Sequence, residues 1–229
     1  MVKNVSLVSA LLVCLLMIVP HAAEAQPLVT VSAGTTFATL GGADAKLPFG
    51  EAAGDEVDLG NETGLFFGAS LRVPLGESLS INPGLYLAQK GTSFDRDSGF
   101  QTGSVELSYI EIPVTIGVVV TGADRPFGVS LFAGSEVSFE IDCTLDTDPG
   151  FSILLHYAQF DDCHEHSGVE ERERTSTLFG LVFGAEVSFG SVFLTGGLDV
   201  GLTSLDDSDA NEEFKNSAWS LGVGLLVGR

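Results

Sequence analysis

From Leu28 onward the chain alternates apolar residues with small or polar ones, in eight stretches parted by breaks. A period of two marks a strand whose two faces meet different surroundings. The first stretch, residues 28–40, sets Val29, Val31, Ala33 and Phe37 against Thr30, Ser32, Gly34 and Thr36. Residues 63–75 set Leu65, Phe67, Ala69, Leu71 and Val73 against Gly64, Phe66, Gly68, Ser70 and Arg72. The same rhythm predicts strands over 79–94, 104–120, 127–141, 174–189, 191–203 and 217–227. Each meets the roughly 9–11 residues that a tilted strand needs to cross a bilayer. Pro83 and Pro113 interrupt two of them. Each removes a ladder donor, which predicts a bulge or a distorted pair at both places.

The breaks alternate in length. Residues 76–78, 121–126 and 190–191 are short, whereas 41–62, 95–103, 142–173 and 204–216 are long and hold most of the acids. Strict alternation of short turns and long loops is what an even-stranded up-and-down barrel requires. The expected fold is therefore all-β: an eight-stranded antiparallel up-and-down transmembrane β-barrel. In such barrels short turns face the periplasm and long loops face outside. That orientation puts both termini in the periplasm and the long loops in the extracellular space of a Gram-negative cell. A soluble lipocalin-like barrel is the rival at the level of fold.

Residues 1–25 stand apart. Lys3 gives a positive start, residues 5–19 an apolar core, and Ala23-Glu24-Ala25 a small-x-small cleavage site. This is the pattern of a secretory signal peptide, leaving residues 26–229 as one mature barrel domain. Cys14 lies in the apolar core after Val13, without the small residue that a lipoprotein site needs.

Composition fits this picture. Mean hydropathy is +0.33 although the chain carries 31 acidic residues, so charge is segregated into a few segments. Glycine numbers 28, and the 16 phenylalanines exceed the 3 tyrosines and single tryptophan, which suits close-packed strands with an apolar outer face. The formal charge of −21 repels nucleic acid and excludes it as a partner. Acidic loops keep the exposed surface soluble, and divalent cations are able to bridge them to anionic lipopolysaccharide. Two cysteines remain after cleavage. Cys143 and Cys163, in an exported chain, are expected to form a disulfide stapling the longest loop.

Three stretches resemble the PorT-type, or porin-family, outer-membrane β-barrel proteins. They are residues 79–91 (LSINPGLYLAQKG), residues 107–113 (LSYIEIP) and the late glycine-rich strands. The second is similar to the family's L-x-Y-I/L-E-I-P signature. The resemblance spans the mature chain and implies a small integral barrel. Some relatives assist secretion or gliding machinery, and most carry no assigned activity. The chain ends on Val227-Gly228-Arg229 rather than on an aromatic residue, which departs from many outer-membrane barrels.

The inward faces carry Arg72, Lys90, Glu111, Glu136, Glu140, Glu186 and Asp199, with Tyr86 and Tyr109 among them. Lone charges in a nearly dry interior are costly. A network of ion pairs and hydrogen bonds filling the lumen is therefore expected, because eight strands leave an interior just wide enough for side chains. The alternative is a narrow cation-preferring channel lined by Glu111, Glu136 and Asp199. An outer-membrane lipid hydrolase is the enzyme reading. It lacks a histidine in any mature strand, since His156, His164 and His166 all fall in the cysteine loop. The expectation is a non-enzyme without a cofactor. Cys163-His164-Glu165-His166 offers ligand types that zinc or copper takes, but a disulfide at Cys163 removes one of them. Residues 207–211 mimic the start of a calcium loop, yet Glu212 and Ala218 stand where glycine and glutamate belong. The reading is a monomeric envelope scaffold, adhesin or secretion-apparatus component, bounded by lipid and lipopolysaccharide.

Overall fold

The computed structural model describes residues 26–41, 57–96, 102–121, 127–147, 177–203 and 215–227. Eight antiparallel strands close into one barrel in chain order. They are β1 (Leu28–Gly41), β2 (Val57–Pro74), β3 (Leu79–Arg96), β4 (Thr102–Val119), β5 (Gly128–Thr147), β6 (Thr177–Phe189), β7 (Val192–Gly201) and β8 (Lys215–Val227). β8 pairs with β1 from Val29–Val227 to Gly41–Lys215, so the sheet has no seam along its membrane-height span. The turn at Gly190 needs the positive φ of +63° that glycine adopts without strain, and Gly76 takes +139° in the β2–β3 turn.

Burial is inside-out. The buried set includes Thr30, Ser32, Thr36, Thr92, Thr115, Ser138 and four ionisable side chains. Leu65, Ile116, Leu194, Trp219 and Leu221 are all more than half exposed. This apolar surface runs right round the barrel, far beyond the few hundred Å² that a soluble monomer exposes. Only a hydrocarbon solvent suits it. A soluble lipocalin-like barrel has the opposite polarity, so the rival fold is overturned. The outward residues from Leu65 on β2 to Leu75 just past its end cover a belt about 25 Å high at a strand tilt of about 40°. At its long-loop rim the outward side chains turn polar. There Gln89 Nε2 donates to Glu106 Oε1 at 2.7 Å.

Four strands run past that rim. β2 to β5 have 18, 18, 18 and 20 residues, against 14, 13, 10 and 13 for β1, β6, β7 and β8. The periodicity placed the ends of β2 and β5 about six residues short, because the acids of those runs, Asp58, Glu62, Asp142 and Asp146, read as loop. The two register shifts also sit in this upper region, between Asn61 and Phe66 and between Ser108 and Tyr109. Neither is at a proline, so of the expected bulge or distorted pair it is the distorted pair that the prolines produce. Around Pro83 and Pro113 the β3–β4 ladder passes from the Pro83–Val114 pair to the Tyr86–Glu111 pair in unchanged register. The β4–β5 ladder runs through the Pro113–Glu136 pair without a shift. The missing donors loosen pairs locally; the apolar alternation on both sides holds the register.

Inward aromatic rings lie over glycines of their own and nearby strands. Phe66 covers Gly34 and Gly222, Tyr86 covers Gly68 and Gly84, Phe132 covers Gly184, and Phe193 covers Gly224. A Cβ at Gly84 would stand 2.7 Å from the Tyr86 ring. The glycines thus give each ring room to lie flat against the wall. Gly224→Val is expected to cost about 1–3 kcal/mol by overpacking against Phe193. The check is a lowered urea midpoint in detergent or vesicles, with Gly76→Ala, a turn residue with no neighbour within 4 Å, as the strain-only comparison.

Candidate functional site

The lumen is built by the even-numbered positions of β1, β2 and β3 and their register partners. Alternation puts Lys90 of β3, Glu111 of β4, Glu136 of β5 and Asp199 of β7 on this face. Lys90 Nζ lies 2.6 Å from Glu111 Oε1, 3.3 Å from Asp199 Oδ2 and 3.6 Å from Glu136 Oε1. Ser138 Oγ donates to Glu136 Oε1 at 2.9 Å. Three carboxylates thus surround one ammonium, and the group carries a formal excess of negative charge. Nearer the short turns, Arg72 Nη2 of β2 donates to Glu186 Oε2 of β6 at 2.7 Å.

Both groups tie opposite walls together. In a ring of eight strands, β2 and β6 stand four apart, as do β3 and β7. Arg72–Glu186 and Lys90–Asp199 are therefore struts across the diameter. The geometry brings together Lys90, Glu111, Glu136 and Asp199, and separately Arg72 and Glu186. Glu140, toward the long-loop end of β5, is half-buried with both carboxylate oxygens buried, and its carboxylate is not free. Tyr86 packs against Phe66, with ring centroids 6.3 Å apart. Tyr109 is 1% exposed in an apolar cluster with Leu107, Cys143 and Leu178. The carboxylates of the central group thus answer to Lys90 and that of Glu186 to Arg72.

The apolar cluster, together with buried Ala38, Ala88, Thr92 and Ala218, packs the lumen toward its long-loop end. Below it the interior is not filled throughout. A cavity of about 130 Å³ is lined by Glu111, Glu136, Asp199, Thr195, Ser220 and Tyr86 among others. A second, of about 110 Å³, lies against the β2–β3 turn at Gly76, Glu77 and Ser78. Arg72, Asn82, Phe132 and Glu186 line both. A lumen filled by side chains from end to end is thus corrected to one packed with buried residues toward the long-loop end and holding two cavities below. Small residues are the cause: Thr30, Ser32, Ser70, Thr195, Gly197 and Ser220 leave space that the rings do not take.

Sequence reading missed the inward apolar side chains Leu107, Phe132, Leu178, Val182 and Phe193. Phe132, Leu178, Val182 and Phe193 stand in runs where the other face is apolar too, as in Phe179-Gly180-Leu181-Val182-Phe183, and alternation alone is silent there; Leu107, between Glu106 and Ser108, follows the alternation that points Tyr109 inward. The available signal was the glycine facing each ring across the register. Cys163, His156, His164, His166 and the calcium-like run 207–211 lie outside the described residues.

Among curated proteins none matches the chain. Of solved structures, Ail of Yersinia pestis, in complex with the heparin analogue sucrose octasulfate, is 12% identical. The alignment covers 88% of this chain and 99% of that one, at a TM-score of 0.44. The outer membrane protein OprG of Pseudomonas aeruginosa is 10% identical, covering 87% and 96% at a TM-score of 0.47. The outer membrane protein beta-barrel domain family matches residues 26–207, most of the chain. With a closed eight-stranded barrel whose apolar face is turned outward, this chain belongs to that family and is a protein of the bacterial outer membrane.

Proposed function

We propose that the chain is a non-enzymatic membrane scaffold of the PorT type whose working surface is its long-loop end. The observation that carries the reading is what occupies the lumen: the apolar cluster around Tyr109 at one end and two ionic struts below it. Transport through such an interior requires breaking buried charge pairs, and interaction at the rim does not. The extended β2–β5 wall and the acidic segments 41–62, 95–103, 142–173 and 204–216 supply that rim. In this reading the short turns face the periplasm and the long loops the exterior. Cys143 pairs with Cys163, fixing the base of the longest loop to the buried cluster. Lipopolysaccharide, bridged by divalent cations, and envelope or secretion-machinery proteins are the partners. The barrel works as a monomer without a cofactor. The absence of histidine from the described strands argues against a serine–histidine lipid hydrolase.

A narrow cation-preferring channel is the second reading, favoured by the cavity that Glu111, Glu136 and Asp199 line. Planar-bilayer recording of the refolded protein separates the two. The scaffold gives a baseline without steady steps; stable cation-selective steps would sink it.

A further inference from the structure

We propose that the Arg72–Glu186 pair is a gate between the two interior cavities, opening the central chamber to the short-turn end and to that end alone. The two cavities share four lining residues, Arg72, Asn82, Phe132 and Glu186, and these form the septum between them. Of the four, Arg72 and Glu186 meet across the full width of the barrel. The pair is asymmetric: the Arg72 side chain is 26% exposed and that of Glu186 8%. A partly solvated guanidinium on a long stem swings away more cheaply than a buried lysine held by three carboxylates. The chamber has room for several waters and a polar lining to hold them. On its other side stand the Lys90 group and the buried cluster of Leu107, Tyr109, Cys143 and Leu178. Solutes that pass the gate therefore enter a dead end. The chamber exchanges water and small cations with one side of the membrane and conducts nothing across it. This does not depend on the interactive role proposed above, since a closed scaffold stands with or without a gated chamber.

The test places a reporter cysteine at Thr195, which lines the central cavity and not the other. The probe is 2-aminoethyl methanethiosulfonate, a small cation suited to a chamber with excess negative charge. Its rate on the refolded mature protein in detergent is read in excess of the same protein without the new cysteine. With Arg72 and Glu186 intact the excess rate is expected to be low. Arg72→Ala and the near-isosteric Glu186→Gln are each expected to raise it about tenfold, the effect of losing one charged hydrogen bond from the closed state. The exchanged pair Arg72→Glu with Glu186→Arg returns it toward the parent value. Heat-modifiable gel mobility verifies that each variant is folded. A rate unchanged in both folded single variants overturns the gate, and so does a parent rate already equal to theirs. Failure here leaves the bilayer baseline untouched, whereas channel steps in the bilayer overturn the scaffold reading and the dead-end chamber while leaving the septum itself to the labelling rates.

Discussion

Lys90→Met is expected to lower unfolding stability by about 3–5 kcal/mol, the usual cost of stripping a buried ion pair of one partner. Lys90 is 6% exposed, and Glu111 and Glu136 are each 6% exposed beside it. Methionine keeps the length of the stem and removes the charge, so the loss is electrostatic rather than steric. Three carboxylates then face one another without an ammonium, and the β3–β7 strut is gone. The measurement is the urea midpoint for the protein in vesicles, with the slope verified as unchanged. Neutralising the carboxylates in the same background, by Glu111→Gln, Glu136→Gln and Asp199→Asn, is expected to recover most of the loss. A Lys90→Met midpoint equal to the parent's would show that the three carboxylates need no partner, and the ionic strut would fall with it.

Val223→Arg on the outer face is expected to cost about 2–4 kcal/mol, the depth-dependent penalty for a cation at the bilayer midplane. Val223 is the middle member of the outward run Trp219, Leu221, Val223, Leu225 and Val227, and is 51% exposed to the surrounding medium. In water that substitution would be close to neutral. Asn61→Arg is the matched comparison. Asn61 is exposed on β2 beyond the apolar belt, so a cation there is expected to shift stability by less than about 0.5 kcal/mol. Equilibrium unfolding from vesicles reads both. Equal effects at the two positions would mean that the apolar belt is not where the lipid is.

Much of the fold was legible in the chain, and particular residues show why. Val29 to Phe37 and Trp219 to Val227 alternate cleanly because each strand meets lipid on one face and small or polar side chains on the other. The turn at Gly190-Ser191 is short and the break after Thr203 is long, so strand order and handed alternation of turns followed. Less was legible elsewhere. At the top of β2 and β5 the acids Asp58, Glu62, Asp142 and Asp146 gave those runs the look of loop, and the strands outran their expected ends. Around Val182, Phe193 and Phe132 both faces are apolar, and the inward rings went unnoticed.

The candidate site divides the same way. Alternation put Lys90, Glu111, Glu136, Asp199, Arg72 and Glu186 on the inner face from sequence alone, because a period of two fixes the face of every residue once one is known. It gave no partner to any of them. Arg72 and Glu186 are 114 residues apart in the chain. They meet only because closing an eight-stranded ring sets β2 opposite β6, and because the stagger of the strands brings those two positions to one height. The same closure hands Lys90 to Asp199 across the lumen. Face is a local property of the extended backbone, and the sequence by itself decided it. Partnership across a lumen is a property of the closed ring, where register and diameter act together, and only the tertiary structure decided that.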